Sequence, residues 1–350
     1  MKKFLLFAFL VAHCTNLFAQ APSGYYTAAQ EKVKQELMAS LHQIIKDHTV
    51  LSYSALWSAF YVTDDRIDGK VWDMYSSCSF TFGNDQDSGS GGTSECQFYN
   101  REHSFPKSWF NDESPMYTDI FHLYPTDKKV NSVRSNYPFG EVGTATYTSS
   151  NGCKLGNSSY AGYSGTVFEP IDEYKGDFAR TYFYMATRYY DKIKNWSSPV
   201  TNGTQYPAYK EWVVNLLLEW HEQDPVSQKE IDRNNAIFDS YQHNRNPYID
   251  HPEFALRVWG DATTASSTTY FNKSNIFPNP ANRNLRVTVS EPGLYNISIV
   301  NQWGVCVKSE RVTILGDYEE LIVEELTKGM YIVRIEGESI TEVKRLIISR

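Results

Sequence analysis

Hydrophobic and polar positions along this 350-residue chain change rhythm twice. In the first part apolar residues return every four positions, at Val33, Leu37, Leu41 and Ile45, which predicts a helix over residues 27–47. Ser52 to Tyr61 predicts a second, shorter one. Val71 to Phe82 alternates aromatic with small residues and predicts a strand. Gly83 to Gly92 reads as a glycine-rich loop, and Gln97 to Glu102 as a returning strand stopped by Pro106. Thr118 to Pro125 reads as a second strand or an irregular run. A helix then follows, capped by Thr126 or Asp127 and ended by Pro138 to Gly140. Ser149 to Gly165, rich in Ser, Gly and Tyr, predicts a loop. Three helices come after it. One opens after Phe168 and runs to about Tyr190. The next covers Tyr209 to Glu222, with Trp212, Leu216, Leu217 and Trp220 on its apolar face. The third follows Ser227, which forms a capping-box pattern with Glu230, and runs to about Gln242. Phe254 to Trp259 closes this part.

After a Thr/Ser/Ala stretch at 263–274 the period drops to two. Short strands are predicted at Leu285–Val289, Tyr295–Val300, Cys306–Val312, Glu319–Val323, Gly329–Ile335 and Lys344–Ile348, with turn signals between them at sandwich-like spacing. The expected class is therefore α+β: a mainly helical domain over 22–262, a linker over 263–274, and a small all-β sandwich over 275–350. At the other end Lys2 and Lys3 precede an apolar run from Phe4 to Ala12 and small residues near Ala21. Residues 1–21 accordingly read as a signal peptide, with a run too short to cross a bilayer. No other segment approaches membrane-spanning length.

Composition changes this picture in two ways. Aromatic residues make up 15% of the chain, including 25 tyrosines, which argues for a well-packed globular protein. Net charge is −8. The β-rich tail from Thr264 is neutral, so outside the leader the first domain carries about −10. A chain without a basic excess does not hold nucleic acid by bulk electrostatics. An enzyme that touches its substrate transiently, with local positive charge, stays open. Export makes disulfides possible. Cys78 and Cys96 flank the glycine-rich loop and pair as a candidate staple, with Cys153 a rival partner for either.

The candidate chemistry lies between Tyr99 and Gly140. Glu102 and His103 are adjacent at a strand end, where neighbouring side chains face opposite sides but a bend lets both border one site. Glu102 is a hard oxygen donor suited to Mg²⁺, and His103 a base for water near neutral pH. Asn131 and Arg134, three apart, share a helix face. The first offers an amide oxygen to a metal, the second a fork for phosphate. A base, a cation and a positive group are what phosphodiester hydrolysis needs.

Glu102-His-Ser-Phe-Pro-Lys-Ser-Trp109, Leu123-Tyr-Pro125 and Val130-Asn-Ser-Val-Arg-Ser-Asn-Tyr137 resemble the endonuclease I family of secreted bacterial nucleases, which carry a ββα-metal (His-Me finger) site. Lys175-Gly-Asp-Phe-Ala-Arg180 and Asn244-Arg-Asn-Pro247 extend the resemblance over roughly Tyr53 to Gly260. It implies His103 as general base and one Mg²⁺ on Glu102 and Asn131, with Ca²⁺ or Mn²⁺ as substitutes. It also implies sequence-nonspecific cleavage of DNA, with RNA open, to 5′-phosphate products. Arg134 is assigned to catalysis on chemistry alone. Arg180, Arg233 and Arg245 are candidate phosphate contacts, with helix-packing salt bridges the alternative. Asp119 and His122 are expected to support the site structurally. The cation on the scissile phosphate is unassigned, since no arginine lies between His103 and Asn131 and Lys107, Lys128 and Lys129 are the only cations there. From Phe277-Pro-Asn-Pro280 through Lys328-Gly-Met-Tyr-Ile-Val-Arg334 to Lys344-Arg-Leu-Ile-Ile348 the tail resembles the C-terminal sorting domain of the type IX secretion system. That implies a secreted or cell-surface protein delivered through the periplasm by that machinery, acting as a monomer. The alternatives are a phosphodiesterase acting on other substrates, and a surface adhesin whose first domain is inactive.

Overall fold

The computed structural model describes residues 21–260, 274–289, 292–301, 304–315, 318–337 and 341–349. The expected signal peptide and nearly all of the expected linker lie outside them. The first region is built as α1 (Lys34–Ile45), α2 (Ala55–Thr63), β1 (Tyr99–His103), β2 (Leu123–Asp127), α3 (Lys128–Arg134), β3 (Val142–Thr148), β4 (Lys154–Ser158), β5 (Thr166–Glu169), α4 (Asp172–Arg188), α5 (Glu211–Gln223), α6 (Gln228–Ser240), α7 (Pro247–Asp250) and α8 (Phe254–Trp259). β1 and β2 form an antiparallel pair, and β3, β4 and β5 an antiparallel three-stranded sheet. Eight helices therefore share the region with two small sheets, which is α+β rather than mainly helical.

α4 lies at the centre. Every residue from Lys175 to Arg188 is buried, and α1, α5 and α7 pack on it. Gly176 marks how closely: a Cβ there would come 2.0 Å from the Asp224 carbonyl oxygen. The core around α4 is largely aromatic, with Phe178, Tyr182, Phe183 and Tyr184 meeting Phe105, Phe121, Trp212, Trp220 and Trp259.

The helix expected over 27–47 starts only at Lys34, after a 3₁₀ turn at Thr27–Ala29, and two further local expectations fail. Val71 to Phe82 is not a strand. It runs as turns around isolated bridges, held by Asp73, which accepts from Tyr75 N at 2.8 Å and from the Ser76 hydroxyl. Part of the expected loop at Ser149–Gly165 is β4, the middle strand of its sheet. Gly156, which made the stretch look like a loop, is needed there because a Cβ would sit 2.2 Å from the Thr144 oxygen.

The tail is all-β. Strands β6 (Ser274–Phe277), β7 (Asn284–Val289), β8 (Gly293–Asn301), β9 (Cys306–Ile314), β10 (Glu319–Ile322), β11 (Gly329–Glu336) and β12 (Thr341–Ile348) form a three-stranded sheet ordered β10-β7-β6 and a four-stranded sheet ordered β12-β11-β8-β9. Their inner faces share one core, in which Leu285, Val287 and Leu321 meet Ile297, Ile299, Val333, Ile335 and Leu346. The tail also touches the first region. Phe277 joins Val226, Ile231 and Ile249 in a small buried cluster, and Asn279 N donates to the Val226 oxygen at 3.1 Å.

Candidate active site

β1, β2 and α3 form a hairpin followed directly by a helix. In the hairpin Glu102 lies opposite Tyr124 and His103 opposite Leu123. Asp127 ends β2 and caps α3, accepting from Lys129 N at 2.8 Å and Val130 N at 3.0 Å. Its second oxygen accepts from Cys96 N at 2.7 Å. That hydrogen bond ties the entry of β1 to the start of α3, and the Cys78–Cys96 disulfide ties the same entry to the 71–82 segment. Cys153 is free and buried.

Strand alternation divides the site between two faces of β1. Asn100 and Glu102 point one way, where α3 lies across them. Asn131 Nδ2 donates to Asn100 Oδ1 at 2.7 Å. Arg134 Nη1 donates to Glu102 Oε1 at 2.9 Å and to the His103 carbonyl at 3.0 Å, and its Nη2 donates to the Ser104 carbonyl at 2.6 Å. The Tyr75 hydroxyl completes the set at 2.9 Å from Glu102 Oε1. Burial pushes the Glu102 carboxyl up, while Arg134 and the Tyr75 hydroxyl pull it back. A group that accepts two donors, one a permanent cation, at one oxygen is placed as a carboxylate.

Arg134 was expected at the phosphate. The structure buries it completely and turns both its Nη groups onto Glu102 and the His103 and Ser104 carbonyls, so it positions Glu102 and the bend that follows. Arg180, Arg233 and Arg245 also turn inward, and their placement corrects the expectation that they contact phosphate. Arg180 grips Glu230 through Nε and Nη2, the latter at 2.8 Å; Arg233 Nε meets Asp64 at 2.9 Å; Arg245 Nε meets Asp250 at 2.7 Å. Sequence spacing does not reveal this, because a buried arginine and a surface one look alike until their carboxylate partners, up to 169 residues away, are known.

His103 faces the other side of β1. Its Nε2 is 3.0 Å from the Tyr117 carbonyl. A carbonyl only accepts, so Nε2 carries the proton and Nδ1 is the basic nitrogen. Tyr53 and Tyr117 flank the ring, with centroids at 6.2 and 5.3 Å. Burial, then the His122 ring and the Lys107 and Arg101 cations, push the imidazole down to about 3 against the pull of the Tyr117 carbonyl. His103 is therefore neutral, the form a base needs.

Asp119 and His122 lie behind this face. His122 has its ring 5.4 Å from that of His103 and its Nε2 2.7 Å from the Met116 carbonyl. Asp119 accepts from Phe121 N, Gln242 Nε2 and the hydroxyls of Tyr184 and Tyr189 at 2.7–3.1 Å. The two residues hold the turn between the strands. Tyr75, Tyr53, Tyr117 and Arg101 escaped sequence reasoning. The i, i+2 relation of Arg101 to His103 was the available signal for the last.

Among the described residues, one group of His, Cys, Asp and Glu side chains lies close enough to chelate an ion: Cys78, Cys96 and Asp127. Its thiols are spent in the disulfide.

The model of the endonuclease I family matches residues 33–253. The chain belongs to that family. An extracellular ribonuclease of Bacillus subtilis is 39% identical over 250 residues, covering 67% of this chain and 78% of that protein. An extracellular ribonuclease of Bacillus amyloliquefaciens is 38% identical over 270 residues, covering 70% and 84%. Endonuclease-1 of Buchnera aphidicola is 29% identical over 133 residues, covering 38% and 46%. The model of the secretion-system C-terminal sorting domain matches residues 275–349. As an endonuclease I family member the chain is a nucleic-acid-hydrolysing enzyme, so the adhesin alternative falls, and its tail marks it for secretion. Among the described residues no helix is long and apolar enough to cross a membrane.

Proposed function

We propose that the protein is a metal-dependent, sequence-nonspecific endonuclease that cuts DNA, and RNA as well, to leave 5′-phosphate ends. The observation that carries this reading is the fixed tautomer of His103, on the strand whose preceding residue is the clamped carboxylate of Glu102. The Tyr117 carbonyl leaves His103 Nδ1 as the atom that accepts a proton from water. That water attacks phosphorus, the P–O3′ bond breaks, and the 3′ oxygen leaves with a proton from solvent. Glu102 and Asn131 suit a hard divalent cation. Arg134 and Tyr75 both occupy Glu102 Oε1, which leaves Oε2 for a ligand. Asn131 spends its amide N–H on Asn100, which turns its oxygen free. Glu102 and Asn131 would hold Mg²⁺ there, and the ion would supply positive charge to the phosphate and the departing oxygen. With Arg134 buried, its role is to orient Glu102. A region with net charge near −10 and no described basic stripe fits brief contact with the backbone rather than stable, base-reading complexes. The relatives named extracellular ribonuclease favour including RNA.

The test is digestion of supercoiled plasmid and of a folded RNA by purified protein, with and without EDTA. Cleavage of both, abolished by EDTA and restored by Mg²⁺, is expected. Cleavage that persists in EDTA removes the metal, and attack on neither polymer removes the function.

A further inference from the structure

On the His103 face of β1, aromatic side chains continue well beyond the catalytic ring. Tyr53, Trp57 and Tyr61 recur every four residues along the entry and body of α2, and so share one side of that helix. Tyr53 stands 4.7 Å from Tyr117 and flanks His103. Arg101 bridges the first two rings, its guanidinium carbon 3.6 Å from the Tyr53 centroid and 4.2 Å from that of Trp57. At the far end Tyr61, 47% exposed, stacks on Phe82 at 4.5 Å. Tyr53, Trp57, Arg101 and Phe82 are all part-exposed.

The arginine sets this strip apart. Arg134, Arg180, Arg233 and Arg245 are each neutralised by a buried carboxylate. Among the described residues Arg101 has no carboxylate at ion-pair distance, and its one hydrogen bond goes to the Tyr53 carbonyl, at 2.7 Å from Nη1. A guanidinium has five N–H donors, so most of the fork is unspent, beside the base and on a protein region that is otherwise acidic. Burial lowers Arg101 but leaves it a cation at any working pH.

From this juxtaposition we infer that Tyr61 and Arg101, the latter held across the Tyr53 and Trp57 rings, form a subsite for an unpaired stretch of nucleic acid next to the scissile bond, a base stacking on the exposed Tyr61 ring and a backbone phosphate lying on Arg101. Aromatic platforms take any base, since every base has a π face, and are closed to bases stacked inside a duplex. Such a subsite supplies affinity without a basic surface and directs the enzyme toward single strands, loops and frayed ends. The inference rests on the nuclease reading above.

Binding of a fluorescently labelled single-stranded oligonucleotide, measured by anisotropy on the full chain in EDTA across a range of salt, tests the subsite without turnover. Tyr61→Ala is expected to weaken binding about five- to a hundredfold, the usual range for one lost stacking contact, without changing the salt slope. Tyr61→Phe, which keeps the ring, is expected to bind as wild type. Arg101→Met is expected to weaken binding and to reduce the salt slope by about one. In Mg²⁺, Tyr61→Ala should raise KM on the single strand and so narrow the preference for single strands over duplex. Equal binding by wild type, Tyr61→Ala and Arg101→Met would overturn the subsite, as would a wild-type dimer that Tyr61→Ala dissociates, because the strip would then be an interface between copies. If the wild type cleaves no nucleic acid yet the variants lose oligonucleotide binding as described, the nuclease reading fails and the subsite stands.

Discussion

The nuclease region and the β tail bury their interiors by different means. The tail core is nearly all aliphatic, and its strands follow from alternation alone. The nuclease core encloses Arg134, Arg180, Arg233 and Arg245 with their carboxylate partners, Arg188 against His48, and tyrosines such as Tyr26, Tyr75 and Tyr184 that donate to carboxylates. Each such group is tolerable only with its partner in place. An apolar core is therefore specified by pattern, whereas a polar one is specified by pairs that only the fold brings together. The second kind suits an enzyme, because the same pairing fixes Glu102 and His103 within a few ångströms of their partners.

Breaking the catalytic face of β1 should give the largest effect. His103→Ala is expected to lower the cleavage rate about 10²- to 10⁴-fold, the usual contribution of a general base, with an unchanged melting temperature. Activity within a few-fold of wild type would remove His103 from the chemistry.

Breaking a buried pair in the same region should cost stability. Arg233→Ala strands Asp64, which is almost fully buried, and removes donors from the Ile120 and Leu123 carbonyls. A loss of about 3–5 kcal/mol in urea unfolding is expected. A loss under 1 kcal/mol would show that Arg233 faces solvent and would revive it as a phosphate contact.

The seam between the two regions should give a smaller change. A linker over 263–274 implies a tail that shares little surface with the nuclease, yet Phe277 is buried against Val226, Ile231 and Ile249. Phe277→Ala is expected to destabilise the full chain by about 1.5–3 kcal/mol and to leave cleavage unchanged. No shift in melting would mean that the regions move independently.

Acid should separate the two cores gradually. His221 is buried and neutral, with Arg180 donating to its Nδ1 and its own Nε2–H donating to the Pro252 carbonyl. Burial, then Arg180, hold it down to about 3. Its folded value is below the unfolded one of about 6.5. The unfolded chain therefore takes up a proton first, and stability falls as pH drops from about 6.5 toward 3. His221→Gln is expected to reduce that slope in the nuclease transition. An unchanged slope would assign the acid sensitivity elsewhere.

The tail shows how far pattern reaches: six strands were legible to within about three residues, and β6 was missed because Ser274–Phe277 sits at the edge of the low-complexity stretch. In the nuclease region the capping box at Ser227 and the Asp127 cap were legible because both are local. The inward turn of Arg180, Arg233 and Arg245 was not, because α4 and α6 carry Arg180 and Arg233 on buried sides with no periodic stripe to distinguish them, and Arg245 lies in the loop before α7. At the site, the hairpin residues could be read from motif and alternation. Tyr75, which reaches Glu102 from 27 residues away, could not.

The most direct test is the Mg²⁺ dependence of plasmid cleavage by wild type, Glu102→Gln and His103→Ala. If the two faces of β1 divide the work as proposed, Glu102→Gln raises the Mg²⁺ concentration needed for half-maximal activity, and His103→Ala lowers the rate at saturating Mg²⁺ without moving that midpoint. A midpoint unchanged in Glu102→Gln, or shifted in His103→Ala as far as in Glu102→Gln, would contradict the division between a metal face and a base face.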